Sequence, residues 1–353
     1  MSRFFSEKYS TLTPYTPGEQ PTERQYVKLN TNESPFPPSD KAMAAAAQAA
    51  GQLQLYPDPT RRELTAAVAA MCGVNADEVL LTNGSDEILN FAFMAFCDGA
   101  HPAVFPDITY GFYKVFAELN GVPYRTVPLR DDLSVDPADF YGANGTVFIA
   151  NPNAPTGLTL SVAAVEEILK NNPDNVVVID EAYVDFGAES CVSLIRKYDN
   201  LLVTQTFSKS RSMAGARLGF GVGQSSLIND LNTVKYSTNP YNINRLTMAA
   251  GLGTLADEAY TRENCRTIMR TRESTTAALR SLGFELADSY TNFLFAKYPG
   301  IDGERLYRQL KERGILVRHF AQPRIADYIR ITVGSETEMQ VLMGALREIV
   351  EEC

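Results

Sequence analysis

The sequence predicts an α/β protein in which a mostly parallel, seven-stranded sheet lies between helices and is followed by a smaller α+β domain. Three observations carry this. Short β-branched or apolar runs alternate with helical segments, the mark of parallel βαβ units. After about residue 245 the texture changes to long, charged, amphipathic stretches. Polar segments stand just past successive runs, where open α/β sheets present themselves to ligands.

The elements follow in chain order. Residues 1–30 hold Pro14, Pro17, Gly18 and Pro21 without sustained periodicity, and read as an arm lying over the body. Lys41 to Ala50 is alanine-rich and predicts a helix, since alanine has the best helix propensity. Within a large domain of residues 31–245, strands are expected at Val79–Leu81, Ala103–Phe105, Arg125–Val127, Thr146–Ala150, Val176–Ile179, Leu201–Thr206 and Gly219–Val222. Helices fall between them, among them Asp86–Phe96 and Val162–Lys170. A small domain of residues 246–353 should hold a long helix from about Asp257 to Leu282, a strand at Asn292–Lys297, a helix near Gly303–Arg313 and a strand at Tyr328–Val333.

Composition narrows the function classes. A chain of 353 residues buries about three quarters of its unfolded surface, so a sizeable core is available. With 45% hydrophobic and 21% charged residues it is neither disordered nor fibrous. No apolar run approaches a membrane span or a signal-peptide core, and the expected location is the cytoplasm. The formal charge of −10 argues against nucleic acid, because counterion release rewards basic surfaces. Cys72, Cys97, Cys191, Cys265 and Cys353 are scattered and odd in number, which predicts free thiols. His101 and His319 alone cannot make a histidine-rich metal centre.

The chemistry collects after the strands. Gly84-Ser85 opens a helix, offering free backbone N–H groups at its positive end to a phosphate, although Ser85 or Asp86 acting as a plain N-cap would leave the same trace. Ser208, Lys209 and Arg217 add a hydroxyl, an amine and a guanidinium to that rim, and arginine suits a phosphate bidentately. Lys209 directly follows an apolar strand, where the bland alternative is a snorkelling surface lysine. Asp180 closes the run Val-Val-Val-Ile and, if buried, needs a cationic partner such as a pyridinium nitrogen. Tyr183 is placed to donate to a phenolic oxygen, and Tyr110 offers an aromatic face.

Leu12-Thr13-Pro14-Tyr15, Leu29 to Pro35, Tyr56-Pro57, Gly84 to Glu87, Thr109-Tyr110-Gly111, Asp180 to Tyr183, Ser208-Lys209, Ala214 to Phe220 and Arg330 to Gly334 together resemble the fold type I, pyridoxal-phosphate-dependent aminotransferases. The likeness spans nearly the whole chain and is closest to the histidinol-phosphate aminotransferase family. The pairing of Ser-Lys with Gly-x-Arg-x-Gly is its most specific part. The resemblance implies that Lys209 carries pyridoxal 5'-phosphate as a Schiff base, that Asp180 pairs with the ring nitrogen, that Tyr183 bonds the phenolic oxygen, and that Tyr110 stacks on the ring. Ser85, Ser208 and Arg217 would hold the phosphate, Gly84 and Asp86 would belong to the same cofactor site, and Tyr56 would reach the cofactor phosphate of a second subunit in a homodimer. Arg330, helped by Arg318, Asn292 and Tyr15, would bind the anionic end of the substrate. The implied reaction takes histidinol phosphate and 2-oxoglutarate to imidazole-acetol phosphate and glutamate.

One position departs from that pattern. The family usually has Asn directly before Pro-Thr-Gly, its amide bonding the phenolic oxygen, and here the residue is Ala154. Either Asn153 or Asn151 turns in, or Tyr183 carries the contact alone. An aromatic amino-acid aminotransferase and a threonine-phosphate decarboxylase share the same motifs. A regulator built on this fold would need a basic DNA-binding module, and no helix-turn-helix precedes residue 30.

Overall fold

The computed structural model describes residues 2–352. The chain enters through the arm and a short strand β1 (Val27–Lys28), then forms helices α1 (Asp40–Ala49) and α2 (Arg62–Cys72). The large sheet is built from β2 (Val79–Thr82), β3 (Ala103–Pro106), β4 (Tyr124–Val127), β5 (Thr146–Ala150), β6 (Val177–Asp180), β7 (Leu201–Thr206) and β8 (Gly219–Gly223). Helix α3 (Ser85–Phe96) follows β2, α4 (Phe112–Asn120) lies between β3 and β4, and α5 (Val162–Lys170) follows β5. After β8 come α6 (Ser225–Thr238), α7 (Arg245–Leu255) and the long α8 (Glu258–Ser281). The last part holds β9 (Glu285–Leu286), β10 (Phe293–Lys297), α9 (Gly303–Glu312), β11 (Ile315–Leu316), β12 (Arg318–His319), β13 (Tyr328–Thr332) and α10 (Glu336–Glu351). All seven expected strands of the large sheet form, their ends displaced by one residue at most.

The sheet runs in the order β2-β8-β7-β6-β5-β3-β4, and only β8 is antiparallel to its neighbours. Both faces are covered, so the strands read as continuous apolar runs. Strand β6 shows how this aims the site. Val177 and Ile179 enter one core with α2 and α5, Val178 enters the core of α3, α4 and α6, and Asp180, next in the alternation, turns to that second face at the strand's carboxyl end.

Helix α7 runs across the expected boundary at residue 245 and packs on α1. A Cβ at Gly253 would lie 2.5 Å from the Lys41 carbonyl oxygen and 2.7 Å from the Ala42 Cα, so small residues on both helices permit the approach. The four-stranded sheet β12-β13-β10-β9 packs with α8, α9 and α10 around a separate core that includes Ile329 and Ile331. Strand β1 pairs in parallel with β11, and Leu29 and Thr332 are joined through the backbone, so the segment after the arm is tied to the last third of the chain. The cysteines Cys72, Cys97, Cys191 and Cys265 are free thiols, and Cys353 lies outside the described residues. Among the described residues no helix is long and apolar enough to cross a membrane.

Candidate active site

At the carboxyl ends of β5, β6 and β7 opens a cavity of about 330 Å³, lined among others by Ser85, Asp86, Tyr110, Asp180, Tyr183, Ser208, Lys209 and Arg217. A second cavity of about 320 Å³ shares Tyr110, Tyr183 and Lys209 with it and continues to Tyr15, Arg318, Phe320 and Arg330. The two form one cleft, with Lys209 and Tyr183 at the junction.

The inner end is an anion cradle. Gly84 has φ +78°, so glycine is required by conformation, and the Arg217 guanidinium lies 2.6 Å from where a Cβ would stand. Gly219 is equally constrained, since its Cβ would lie 2.4 Å from the Ser85 amide nitrogen. Arg217 donates to the Ser208 hydroxyl at 3.4 Å and pairs with Asp86 at 2.9 Å. Asp86 also accepts from the Tyr110 hydroxyl at 2.6 Å, so this carboxylate fixes the guanidinium and the ring. The free N–H groups of the first turn of α3 complete the cradle.

Asp180 lies at the cavity floor. Its carboxylate accepts from the Tyr113 hydroxyl at 3.1 Å and the Thr204 hydroxyl at 3.3 Å, and no cation among the described residues pairs with it. Burial pushes its pKa up to about 6. Two hydroxyls do not offset the loss of water around a buried carboxylate, so the site calls for a cation at this point. Lys209 Nζ donates to the Thr31 carbonyl at 3.3 Å and stands 5.7 Å from the centre of the Tyr183 ring.

The outer end is built by β13. Arg330 points into the cleft because Ile329 and Ile331, alternating with it, fill the core. Its guanidinium lies between the rings of Phe293 at 5.3 Å and Phe320 at 5.6 Å and donates to the Asn30 carbonyl, while Nε is buried without a partner. Desolvation lowers its pKa, and no carboxylate among the described residues pairs with it. Arg318 is held by the carbonyls of Thr16 and Pro17 in the arm, and the Tyr15 ring stacks on Phe112 at 4.2 Å.

Three expected site residues stand elsewhere. Asn153 is a correction: its amide donates to the Ile108 carbonyl and the Thr156 hydroxyl and accepts from the Thr109 hydroxyl, so it is consumed in shaping the loop and does not face the cavity. Asn151 is occupied likewise, accepting from the Leu160 amide and the Thr159 hydroxyl. Asn292 is fully buried behind the cleft, where it donates to the Asn32 carbonyl, so it does not line the substrate end. Tyr56 is 79% exposed, stacks on Tyr241 at 4.7 Å and belongs to neither cavity of this chain.

The sequence reading assigned no work to residues 30–33, which cross the cleft and touch Arg330, Lys209 and Tyr183 in turn. The available signal was that Leu29 to Pro35 carried part of the family resemblance. Tyr113 and Thr204, which hold Asp180, were also missed, being hydroxyls inside otherwise apolar segments.

A buried carboxylate without a cation, an anion cradle, a primary amine and a phenol around one cavity fit a pyridoxal phosphate. Residues 24–346 match the family described as aminotransferase class I and II. The chain is 51% identical to histidinol-phosphate aminotransferase 2 of Dechloromonas aromatica, covering 99% of each chain. It is 50% identical to histidinol-phosphate aminotransferase 1 of Bordetella parapertussis, again over 99% of each. Among solved structures, the histidinol-phosphate aminotransferase of Sinorhizobium meliloti, in complex with pyridoxal-5'-phosphate, superposes with a TM-score of 0.89 at 24% identity, over 100% of this chain and 99% of that one.

Proposed function

Since this chain belongs to the class I and II aminotransferases, we propose that it moves an amino group from histidinol phosphate to 2-oxoglutarate, yielding imidazole-acetol phosphate and glutamate. It is a pyridoxal-phosphate-dependent transaminase, and relatives about half identical over the full chain carry the histidinol-phosphate activity in their names. The observation that carries the substrate reading is Arg330, a guanidinium without a carboxylate partner at the mouth of the cofactor cavity. Such a group takes either a phosphate ester or a carboxylate bidentately, so one pocket serves both the donor and the 2-oxo acid.

Bound in the cavity, pyridoxal phosphate supplies a ring that accepts the electron pair left when the Cα proton departs. The chain's residues supply the rest. The amides of the α3 first turn, Ser85, Ser208 and Arg217 would hold the phosphate. Asp180 would hold a proton on the ring nitrogen, Tyr183 would donate from Oη to the phenolic oxygen, and Tyr110 would flank the ring. Lys209 Nζ, the amine to which the cofactor's aldehyde would be anchored, would take the Cα proton and deliver it to the former aldehyde carbon, on the other side of the substrate nitrogen. Arg330, with Arg318 and Tyr15 beside it, holds the substrate's anionic end so that Cα lies over Lys209.

The functional unit in this reading is a homodimer working in the cytoplasm. Leu53, Leu55, Tyr56, Tyr236 and Tyr241 leave large apolar side chains exposed near the end of α1, and a second copy covering them would bring Tyr56 to the neighbouring phosphate. Mixing Lys209→Ala with Tyr56→Phe subunits tests this, since a hybrid dimer regains one intact site. Turnover on histidinol phosphate, phenylalanine and threonine phosphate, measured side by side with 2-oxoglutarate, tests the substrate. The reading expects kcat/KM at least about 100-fold higher for histidinol phosphate, and a preference for either of the others overturns it.

A further inference from the structure

Asn32 occupies a left-handed backbone conformation, φ 56°, at the point where the segment after β1 crosses the cleft. Its backbone N–H donates to the Thr332 hydroxyl oxygen at 2.9 Å, and its carbonyl accepts from the Asn292 amide at 3.0 Å. These two bonds fix the main chain. The side chain is fixed as well, because the Thr332 hydroxyl, already accepting from the backbone, donates its own hydrogen to Asn32 Oδ1 at 3.2 Å. Asn32 Nδ2 is therefore the end facing Tyr183, and it donates to the phenol oxygen at 2.9 Å.

The consequence falls on Tyr183. An NH₂ group accepts nothing, so the Tyr183 hydrogen cannot return along that bond. The ring is held edge-on to Phe293 at 5.1 Å, which restricts its swing. The phenol is left as a donor aimed into the cavity it lines, with a second donor pulling on its oxygen. At the same time Ala154, which lines both cavities, offers no amide where the family usually has one, Asn151 is occupied within its own loop, and Asn153 is occupied by Ile108 and Thr109 after β3.

We infer that Asn32 is a positioning residue that compensates for Ala154: it donates to Tyr183 and so makes the phenol the fixed hydrogen-bond donor to the cofactor's phenolic oxygen. This rests on the proposed cofactor chemistry. A weaker donor at that oxygen leaves more negative charge there, which holds the neighbouring proton on the cofactor more tightly and raises the pH at which that proton is lost.

The test follows the visible absorbance of the pyridoxal-phosphate-loaded protein across pH. Asn32→Gly keeps the left-handed backbone without strain and removes the amide. Its absorbance midpoint is expected to rise by about half a pH unit or more, and kcat/KM to fall about tenfold. Adding Ala154→Asn should return the midpoint toward that of the unsubstituted protein. In a Tyr183→Phe background, Asn32→Gly should move the midpoint no further, because the phenol it acts through is gone. A midpoint unchanged by Asn32→Gly, or an equal shift with and without the Tyr183 hydroxyl, overturns the inference. If the unsubstituted protein instead shows no pH-sensitive chromophore with pyridoxal phosphate, and borohydride attaches none to Lys209, the cofactor reading itself has failed.

Discussion

Arg330 decides how tightly the substrate's anion is held, and its surroundings set the size of the effect. The guanidinium sits between two phenyl rings with no carboxylate partner, so truncation to alanine leaves the anion unpaired in a partly desolvated site. Arg330→Ala is expected to lower kcat/KM for histidinol phosphate about 100-fold or more, at about 1.4 kcal/mol per tenfold, and to impair glutamate similarly. Cofactor absorbance should stay unchanged, and a loss below about fivefold for both substrates would remove Arg330 from the substrate site. Asp180→Asn is expected to retain the cofactor while losing at least about 100-fold in turnover, because a neutral amide does not keep a proton on the ring nitrogen. Steady-state kinetics beside an absorbance titration checks this. At this scale the sequence is legible where a residue stands beside a strand end, as with Asp180, Lys209 and Arg217, which line one cavity. It was read poorly for asparagines. Asn153, Asn292 and Asn32 have the same side chain, and only tertiary neighbours decide that the first shapes a loop, the second supports a backbone and the third holds a phenol.

Elements carry the cradle through close backbone approaches. Gly219 of β8 presses on the first turn of α3, and Gly253 of α7 presses on α1, each leaving under 3 Å for a Cβ. Overpacking of this kind costs about 1–3 kcal/mol. Gly219→Ala and Gly253→Ala should therefore both lower Tm, but only Gly219→Ala should weaken pyridoxal phosphate binding, by about tenfold or more. Equal cofactor affinities in the two variants would show that the approach of β8 does not shape the phosphate site. The large-sheet strands were legible because burial on both faces makes them continuous apolar runs between turn signals. The two-residue strands β1, β9, β11 and β12 were not, since a pair of residues has no period and exists through its partner alone. Helix α1 was visible in its alanines, yet the reason for them lies in α7.

For the molecule as a whole, the buried acids set a pH dependence. Burial pushes Glu181 up to about 7 and Asp180 up to about 6. A carboxyl whose folded pKa exceeds its unfolded value favours folding while protonated, so this stabilisation is complete below about pH 4 and lost as the pH rises through 6 and 7. Glu33 and Asp58, whose pKa values are lowered in the fold, act in the opposite sense, Asp58 through its Thr60 hydrogen bonds and Glu33 through its bonds to Lys28 and Thr31. Cofactor-free protein is expected to lose Tm between about pH 4 and 7, and Glu181→Gln should flatten that slope without altering the fold. A slope unchanged by Glu181→Gln in a pH series of thermal melts would remove Glu181 from the account. Fold class was legible at this scale, because alternation of strand and helix dictates layers. Strand order was not, and one feature of it reaches further. Strand β2 is bonded only to β8, which follows it by well over a hundred residues, and residues 29–32 are bonded to positions beyond 290. On the ribosome, then, the phosphate cradle cannot exist until β8 has emerged, and the substrate end cannot exist until β13 has. A polypeptide cut before β8 would leave the aldehyde of the vitamin alone, and one cut between β8 and β13 would keep the cradle while lacking the substrate end.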